Sequence, residues 1–200
     1  MIRIGVLVSG RGSNLQALLD ACREGRIDGQ VVVVLSDKAD AYGLERARQA
    51  GIAAIHVDPA AFATRQAYDQ RLAETLQQRD VDLVVLAGYM RLVKKPMLDA
   101  FTGRIINVHP ALLPSFKGLE AQRKALEYGV KVTGATVHFV TEGLDDGPII
   151  LQAAVPVLDD DTVESLSERI LAQEHRILPE AVQLFALGKL KFEGRRVTAV

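Results

Sequence analysis

Short runs of β-branched and apolar residues alternate with longer stretches of helical periodicity along the whole chain, and this alternation constrains the fold more than any other feature. The runs VVVVLS (31–36) and VDLVVLAG (81–88) are apolar on both faces, which is typical of parallel strands covered by helices from both sides. The predicted strands are 2–8, 31–36, 52–57, 81–88, 105–109, 132–140 and 148–157, and the predicted helices are 14–25, 41–50, 65–79, 95–100, 119–128 and 162–186. This order predicts an α/β fold: a mostly parallel, Rossmann-like sheet flanked by helices, with a mixed second half and a long C-terminal helix.

Length and composition indicate one ordinary globular domain. The 200 residues contain no internal repeat, low-complexity tract or linker, so we expect a single domain over 1–200. The formal net charge of −1 does not indicate binding to nucleic acid or to an anionic membrane. Cys22 is the only cysteine, which excludes an intrachain disulfide framework and a cysteine-cluster metal site. No apolar run has the length of a signal peptide core or a membrane span, and we therefore expect a cytoplasmic enzyme or binding domain.

The loop SGRGSNL (9–15) lies between the first strand and the first helix. Its two glycines allow a sharp turn with free N–H groups, and either Ser13 or Asn14 can cap the helix that follows. Free N–H groups at the positive end of a helix form an anion site, most naturally for phosphate. Two alternatives are a tight turn without a ligand and a dinucleotide fingerprint, but the third glycine of that fingerprint is replaced by Leu15. A single phosphate is the favoured interpretation.

Two polar side chains stand one residue apart at the end of a buried strand, in IINVHPALLPSFKG (105–118). Side chains two apart on a strand share a face, so Asn107 and His109 project together, and a proline-containing turn follows them. A lone histidine is more often structural than functional, and we interpret His138, in the middle of a strand, as a hydrogen-bonded core histidine. The pairing of His109 with an amide favours a functional role for it.

An acidic loop, TEGLDDGPII (141–150), separates the last two strands of the predicted sheet. Aspartate and glycine are common turn formers, so a plain turn is one interpretation. If one aspartate reaches His109, its carboxylate would stabilise the protonated imidazole. An amide donor and a cationic imidazole aimed at one point suit an oxyanion that develops from a carbonyl. Because there is no serine or cysteine elbow, direct transfer of an acyl group between two bound substrates is the simplest chemistry.

Several longer segments together resemble a known enzyme family, the phosphoribosylglycinamide formyltransferases. The segments are SGRGSNLQALLDAC, SDKADAYGLERARQAGI, VVLAGYMRL, NVHPALLPSFKG, GATVHFV and LDDGPIILQAAVPV. The most specific part is N-x-H-P-x-L-L-P followed by L-D-x-G-P, a pair that marks the wider family of enzymes using 10-formyltetrahydrofolate. The resemblance runs from the first strand through the long C-terminal helix.

The resemblance implies an activity and the residues that perform it. Enzymes of this family transfer the formyl group of 10-formyltetrahydrofolate to the amine of glycinamide ribonucleotide in purine biosynthesis. By similarity, Asn107 and His109 would bind the formyl oxygen, Asp145 would keep His109 charged, and His109 would act as general acid. The substrate phosphate would be held by Gly12, Ser13 and Asn14. The halves 1–100 and 101–200 would then serve phosphate binding and catalysis with folate binding respectively.

Further binding residues carry over from the same resemblance. The folate would be bound by Arg65, Met90, Arg91, Leu92, Val93 and Asn107. Arg65 would lie near the glutamate tail of the folate, although an exposed arginine at a helix start can equally be a solvated charge. Glu174 lies on the apolar stripe of the long helix and needs a partner, which the resemblance implies is the amine or ribose of glycinamide ribonucleotide; a rim carboxylate is the alternative. No metal is expected.

One position departs from the family pattern, and several alternatives stay open. Glu120 stands where the family commonly has histidine, and it either favours the imidazolium of His109 or is simply exposed. A formyltetrahydrofolate hydrolase would share the site but normally carries an N-terminal regulatory domain, and a methionyl-tRNA formyltransferase would need a C-terminal domain and a basic surface. A nucleotide-binding module would use only the first loop. We expect a monomer or a homodimer without nucleic acid or membrane partners, and no role is assigned to the tail FEGRRVTAV (192–200).

Overall fold

The computed structural model describes residues 1–200, and its central feature is one seven-stranded sheet. The strands are β1 (Ile2–Val8), β2 (Gly29–Ser36), β3 (Ala53–His56), β4 (Leu83–Leu86), β5 (Ile105–His109), β6 (Val132–Phe139) and β7 (Ile149–Pro156), in the order β3-β2-β1-β4-β5-β6-β7. The first five run parallel, whereas β6 and β7 are antiparallel to their neighbours. The predicted α/β fold with a mixed second half is therefore confirmed.

Six α-helices cover the two faces of this sheet. They are α1 (Ser13–Arg23), α2 (Tyr42–Gln49), α3 (Arg65–Gln77), α4 (Lys95–Ala100), α5 (Ala121–Tyr128) and α6 (Val163–Ala186). Alternating side chains of β1 point to opposite faces, so that Ile4 packs in the core beneath α1 and α6 whereas Leu7 packs in the core beneath α3 and α4. The doubly apolar strands are thus buried from both sides, as the sequence predicts.

The long helix α6 begins at a capping box and buries one continuous stripe. The Thr162 hydroxyl accepts from the Ser165 N–H while the Ser165 hydroxyl accepts from the Thr162 N–H, which satisfies two backbone donors at the helix start. Leu166, Ile170 and Ile177 on the stripe are fully buried. After α6 the chain forms a separate two-stranded hairpin, β8 (Leu190–Glu193) and β9 (Arg196–Ala199).

The strand order decides where a ligand can bind. The chain leaves β1 towards β2 and β3, then returns to β4 on the other side of β1, and such a switch point opens a crevice at the carboxyl ends of the strands. The loop 141–147 does not start at this edge. Because β6 is antiparallel to β5, the loop leaves β6 beside the amino end of β5, where the Val140 N–H donates to the Ile105 carbonyl at 2.9 Å. Asp145 in this loop nevertheless lies against His109, the last residue of β5.

Candidate active site

The first loop ends in a glycine whose conformation frees the start of α1. Gly12 is the N-cap residue, at φ 70° and ψ 30°, and no side chain caps the helix. The prediction that Ser13 or Asn14 caps α1 is therefore wrong, because Ser13 already belongs to the helix and the Asn14 side chain is bonded elsewhere. The first N–H groups of a helix have no intrahelical partner, so those of α1 are available to an anion.

Gly12 is also required by its packing. A Cβ atom at this position would lie 2.7 Å from the Cα of Gly43 at the start of α2. The Gly43 N–H donates to the Gly10 carbonyl at 3.0 Å, which holds the two segments together. The glycine therefore serves both the left-handed turn and the close approach of α2.

Glu174 lies buried on α6 and is bonded to the first loop. The Asn14 Nδ2 donates to the Glu174 Oε2 at 2.7 Å, so the chain itself supplies one partner for this carboxyl. Burial raises the pKa of Glu174, whereas the hydrogen bond from Asn14 lowers it by a smaller amount. The Asn14 Oδ1 is buried without a partner. This pair links the start of α1 to the middle of α6.

The hydroxyl of Ser9 joins three strands at the switch point. Ser9 Oγ donates to Asp37 Oδ1 at 2.6 Å and accepts from the Met90 N–H at 2.9 Å. The Ser9 N–H also donates to the Gly88 carbonyl at 3.1 Å. Since Ser9 is 4 % exposed, these bonds are shielded from water. The loop at 9–14 and the segment that follows β4 are thereby held in a fixed relation.

The segment Met90–Val93 is fastened to α3 by an arginine and an aspartate. The Arg65 Nη2 donates to the Leu92 carbonyl, and its Nε donates to Asp69 Oδ1 at 3.1 Å. Asp69 is buried and its Oδ2 also accepts from the Lys94 N–H at 2.6 Å. Arg65 is therefore not the freely solvated charge of the alternative interpretation. The Met90 and Leu92 side chains are exposed, whereas Val93 is buried in the core.

Asn107, His109 and Asp145 are brought together. The Asp145 Oδ2 lies 3.4 Å from the His109 Nδ1 and accepts from the Gly118 N–H at 2.8 Å. The His109 Nε2 lies 2.8 Å from the Phe116 carbonyl oxygen, to which it donates when it carries a proton. Asn107 stands two residues before His109 on β5, and both side chains line the same cavity.

His138 is a site residue that the sequence interpretation missed. In the antiparallel register of β5 and β6 it stands directly opposite Asn107, and its Nε2 lies 3.1 Å from the Asn107 Nδ2. Its Nδ1 donates to the Phe139 carbonyl at 2.9 Å. His138 is buried as expected, but it orients the Asn107 amide as well. This pairing follows from the register between β5 and β6, which cannot be read from the sequence alone.

Asn107, His109 and Asp145 line a cleft with a volume of about 450 Å³. Its wall includes Met90–Val93 on one side and 141–145 on the other. Gln122 is shared with a neighbouring cavity that Glu174 lines, and Met90 is shared with the cavity around the first loop. The three cavities therefore lie next to one another, with Gln122 and Met90 at their borders.

Backbone strain is concentrated in the loops around His109. Three of the four non-glycine residues with positive φ are Phe116 (52°), Glu120 (57°) and Asp145 (45°), and all three lie in loops that border the cleft or contact His109. Strained backbone of this kind is typical of functional sites. The Glu120 side chain is exposed and pairs with Arg123 at 3.2 Å, which answers the open question about this position in favour of exposure.

No group of three or more histidine, cysteine, aspartate or glutamate side chains is arranged to hold a metal ion. Similarly, none of the helices combines the length and the apolar composition needed to cross a bilayer.

Comparison with known proteins finds relatives that extend over nearly the whole chain. Residues 2–182 match the formyl transferase family. The chain is 49 % identical over 190 residues to the phosphoribosylglycinamide formyltransferase of Escherichia coli (strain K12), covering 95 % of this chain and 90 % of that protein. It is 47 % identical over 189 residues to the trifunctional purine biosynthetic protein adenosine-3 of Homo sapiens, covering 94 % of this chain and 19 % of that protein.

A solved structure shares the whole fold. The crystal structure of glycinamide ribonucleotide transformylase 1 from Symbiobacterium toebii superposes with a TM-score of 0.99 at 70 % identity, covering 100 % of this chain and 94 % of that one. Since both the family match and the relatives extend over nearly the entire chain, the chain belongs to the formyl transferase family.

Proposed function

We propose that the chain transfers the formyl group of 10-formyltetrahydrofolate to the amine of glycinamide ribonucleotide, a step of purine biosynthesis. The relatives that carry this activity in their names align over almost the full length of the chain. The observation that carries the proposal is the contact between Asp145 and His109, 3.4 Å apart, in a cleft that adjoins both the start of α1 and Glu174.

The acceptor substrate would bind beside α1 and α6. Its phosphate would accept hydrogen bonds from the backbone N–H groups of Gly12, Ser13 and Asn14, which the helix leaves free. The Asn14 side chain donates to Glu174, so its contribution to the phosphate comes from the backbone. Glu174 would accept from the amine or the ribose, and its burial makes such a bond strong.

The formyl donor would occupy the larger cleft. Backbone groups of Met90–Val93 would bind the pterin, and Arg91 lines the same wall. The Arg65 Nε and Nη2 are engaged within the chain, so Nη1 is the atom that would reach the glutamate tail of the folate. The side chain of Arg65 is 29 % exposed, which supports such a contact.

Transfer would proceed by direct attack. The amine nitrogen forms a bond to the formyl carbon, and the formyl oxygen becomes an oxyanion that accepts from the Asn107 amide and the protonated His109. Collapse of this intermediate breaks the bond between the formyl carbon and N10, while the proton lost by the amine passes to N10 with His109 as general acid and water as relay. For His109 to donate to the oxyanion, its contact with the Phe116 carbonyl must be exchanged for the substrate.

The compartment and the assembly state stay predictions. An enzyme of small soluble substrates with a single cysteine fits the cytoplasm, where thiols are kept reduced. We expect a monomer or a homodimer, and light scattering after size-exclusion chromatography measures which.

The decisive experiment is a spectroscopic assay of folate deformylation with and without glycinamide ribonucleotide. Turnover only in the presence of the ribonucleotide supports the transferase, whereas equal turnover without it identifies a hydrolase. Substitution of Asn107 or His109 by alanine would strongly lower turnover in either enzyme but would leave a nucleotide-binding module with unchanged affinity for the ribonucleotide.

A further inference from the structure

The C-terminal hairpin contacts the loop that carries Asp145. The match to the formyl transferase family ends at residue 182, and the hairpin β8–β9 lies beyond it at 190–199. Its Leu190 and Val197 side chains are half-buried against the main core, so the hairpin is packed on the domain. Two contacts then connect it to the loop, one at the residue that ends β6 and one at Asp146.

The contact at the base is aromatic. The ring of Phe192 on β8 lies 4.8 Å from the ring of Phe139, centroid to centroid, with 46° between the ring planes. Phe139 is the last residue of β6, immediately before the loop, and is itself buried. The hairpin thereby packs against the point from which the loop starts.

The contact at Asp146 is made by an arginine in the hairpin turn. The Arg195 Nη2 donates to the main-chain carbonyl of Asp146 at 2.7 Å, and its Nη1 lies 3.5 Å from Asp146 Oδ2. The other carboxylate oxygen of Asp146 accepts from the Lys117 Nζ at 2.5 Å. The Lys117 hydrogen bond, with a smaller contribution from Arg195, lowers the pKa of the Asp146 carboxyl.

These bonds converge on the two segments that surround His109. Lys117 lies between Phe116, whose carbonyl contacts His109, and Gly118, whose N–H donates to Asp145. Arg195 bonds the Asp146–Gly147 peptide, one residue after Asp145. Asp145 has a φ of 45° and depends on its surroundings to hold this conformation. An exposed ion pair alone contributes little, and the Arg195 side chain is 71 % exposed. The bond to the main-chain carbonyl differs because it acts on the position of the loop backbone.

We propose that Arg195 is a positioning residue, which holds the 141–147 loop so that Asp145 stays against His109. The inference rests on the proposed formyl transfer and adds a residue that lies after residues 2–182, the segment matched by the family. Since Arg195 touches neither Asn107 nor His109, its removal would reduce the fraction of enzyme with an assembled site and leave the chemistry of that fraction unchanged.

The test compares Arg195→Met with Arg195→Lys and with a matched control, Arg196→Met. Arg196 is the exposed neighbouring arginine, and no hydrogen bond or ion pair joins its side chain to the rest of the chain. We expect Arg195→Met to lower kcat by about three- to tenfold, with the KM for glycinamide ribonucleotide unchanged, because the loop spends less time in the assembled position. Arg195→Lys should recover part of the loss, and Arg196→Met should match the wild type.

Two further measurements separate positioning from general stability. Amide hydrogen exchange at 141–147 should be faster in Arg195→Met, while the Tm stays within about 2 °C of the wild type because the altered bond is exposed. Asp146→Asn keeps the main-chain carbonyl that Arg195 binds, so its kcat should stay within about twofold of the wild type. Equal kcat and equal loop exchange in Arg195→Met and the wild type would overturn the inference. A wild-type enzyme without transfer activity would instead overturn the proposed function.

Discussion

Asn107 and His138 face each other across β5 and β6, with the amide Nδ2 of the first 3.1 Å from the ring Nε2 of the second. Because the His138 Nδ1 donates to a backbone carbonyl, the Nε2 of the neutral ring is an acceptor. Burial lowers the pKa of His138, which favours this neutral form. One N–H of Asn107 is thus bound to His138, and the other is left for the cleft.

The first prediction concerns the protonation of His138. We expect a neutral ring at pH 7 with the proton on Nδ1, as measured by the ¹⁵N shifts of the two ring nitrogens. The pKa of His138 in the folded protein is below the ordinary value of 6.5. The neutral ring therefore contributes its stabilisation, and keeps the hydrogen bond from Asn107, above pH 6.5. Both are lost as the pH falls through the lowered pKa. A doubly protonated His138 at pH 7 would contradict the arrangement.

Loss of the Asn107 amide should affect the chemical step. We expect Asn107→Ala to lower kcat by about 10²–10³-fold, the cost of removing one oxyanion donor. The KM for glycinamide ribonucleotide should change little, because its phosphate would bind at α1. His56→Ala, at an exposed position on β3, is the control and should leave both parameters unchanged. A large rise in KM at constant kcat would assign Asn107 to substrate binding alone.

The buried carboxyl of Glu174 should make stability depend on pH. Burial raises the pKa of Glu174 in the folded protein. The loss of stability that comes from burying an ionised carboxylate is therefore absent below the ordinary carboxyl pKa, and it grows as the pH rises towards the folded pKa. We expect Glu174→Gln to gain stability relative to the wild type from about pH 4 upward, measured by chemical denaturation. Glu168→Gln, exposed on the same helix, should show no such trend. A difference that is independent of pH would show that folding does not raise the pKa of Glu174.

Removal of Asp69 should loosen the Met90–Val93 segment. Asp69→Ala leaves the Lys94 N–H without its acceptor, and we expect a loss of about 1–3 kcal/mol in the free energy of unfolding. The KM for the folate should rise in the same variant, since Arg65 loses one of its two bonds within the chain. Asp99→Ala removes only an exposed pair with Lys95 and should change stability by less than about 0.5 kcal/mol.

The packing of Gly12 can be separated from its backbone conformation. Gly12 and Gly25 have nearly the same φ, 70° and 72°, but only at Gly12 would a Cβ meet another segment. We expect Gly25→Ala to cost about 1–2 kcal/mol for the left-handed conformation alone. Gly12→Ala should cost more and should also raise the KM for glycinamide ribonucleotide. Equal losses of stability in the two variants would show that α2 can move aside.

The sequence predicts most of the fold because its pattern is local. The doubly apolar run of β2 and the stripe on α6 each indicate burial directly, and the charge of Glu174 on that stripe indicates a buried partner. The order of strands and helices follows from the same periodicities. The sequence assigns no role to the tail at 192–200, because the contacts of the hairpin at 190–199 with the domain involve residues far away in sequence.

The candidate site was less predictable, because its geometry depends on pairings between distant segments. The pairing of His138 with Asn107 follows from the register of an antiparallel pair, and a shift of one residue would have turned His138 to the other face. The free start of α1 depends on Asn14 bonding Glu174 rather than its own helix, across 160 residues. Likewise, the intrachain bonds of Arg65 depend on how the 90–94 segment crosses α3.

The hydroxyl of Ser9 has a consequence for the order of events during turnover. From within the loop that precedes α1, it bonds Asp37, directly after β2, and Met90, in the segment that follows β4. The two halves of the reaction cleft are thus already joined in the protein alone, and the entropy of bringing them together is lost once, when the chain folds. The binding surface for each substrate is therefore already formed before the other substrate binds.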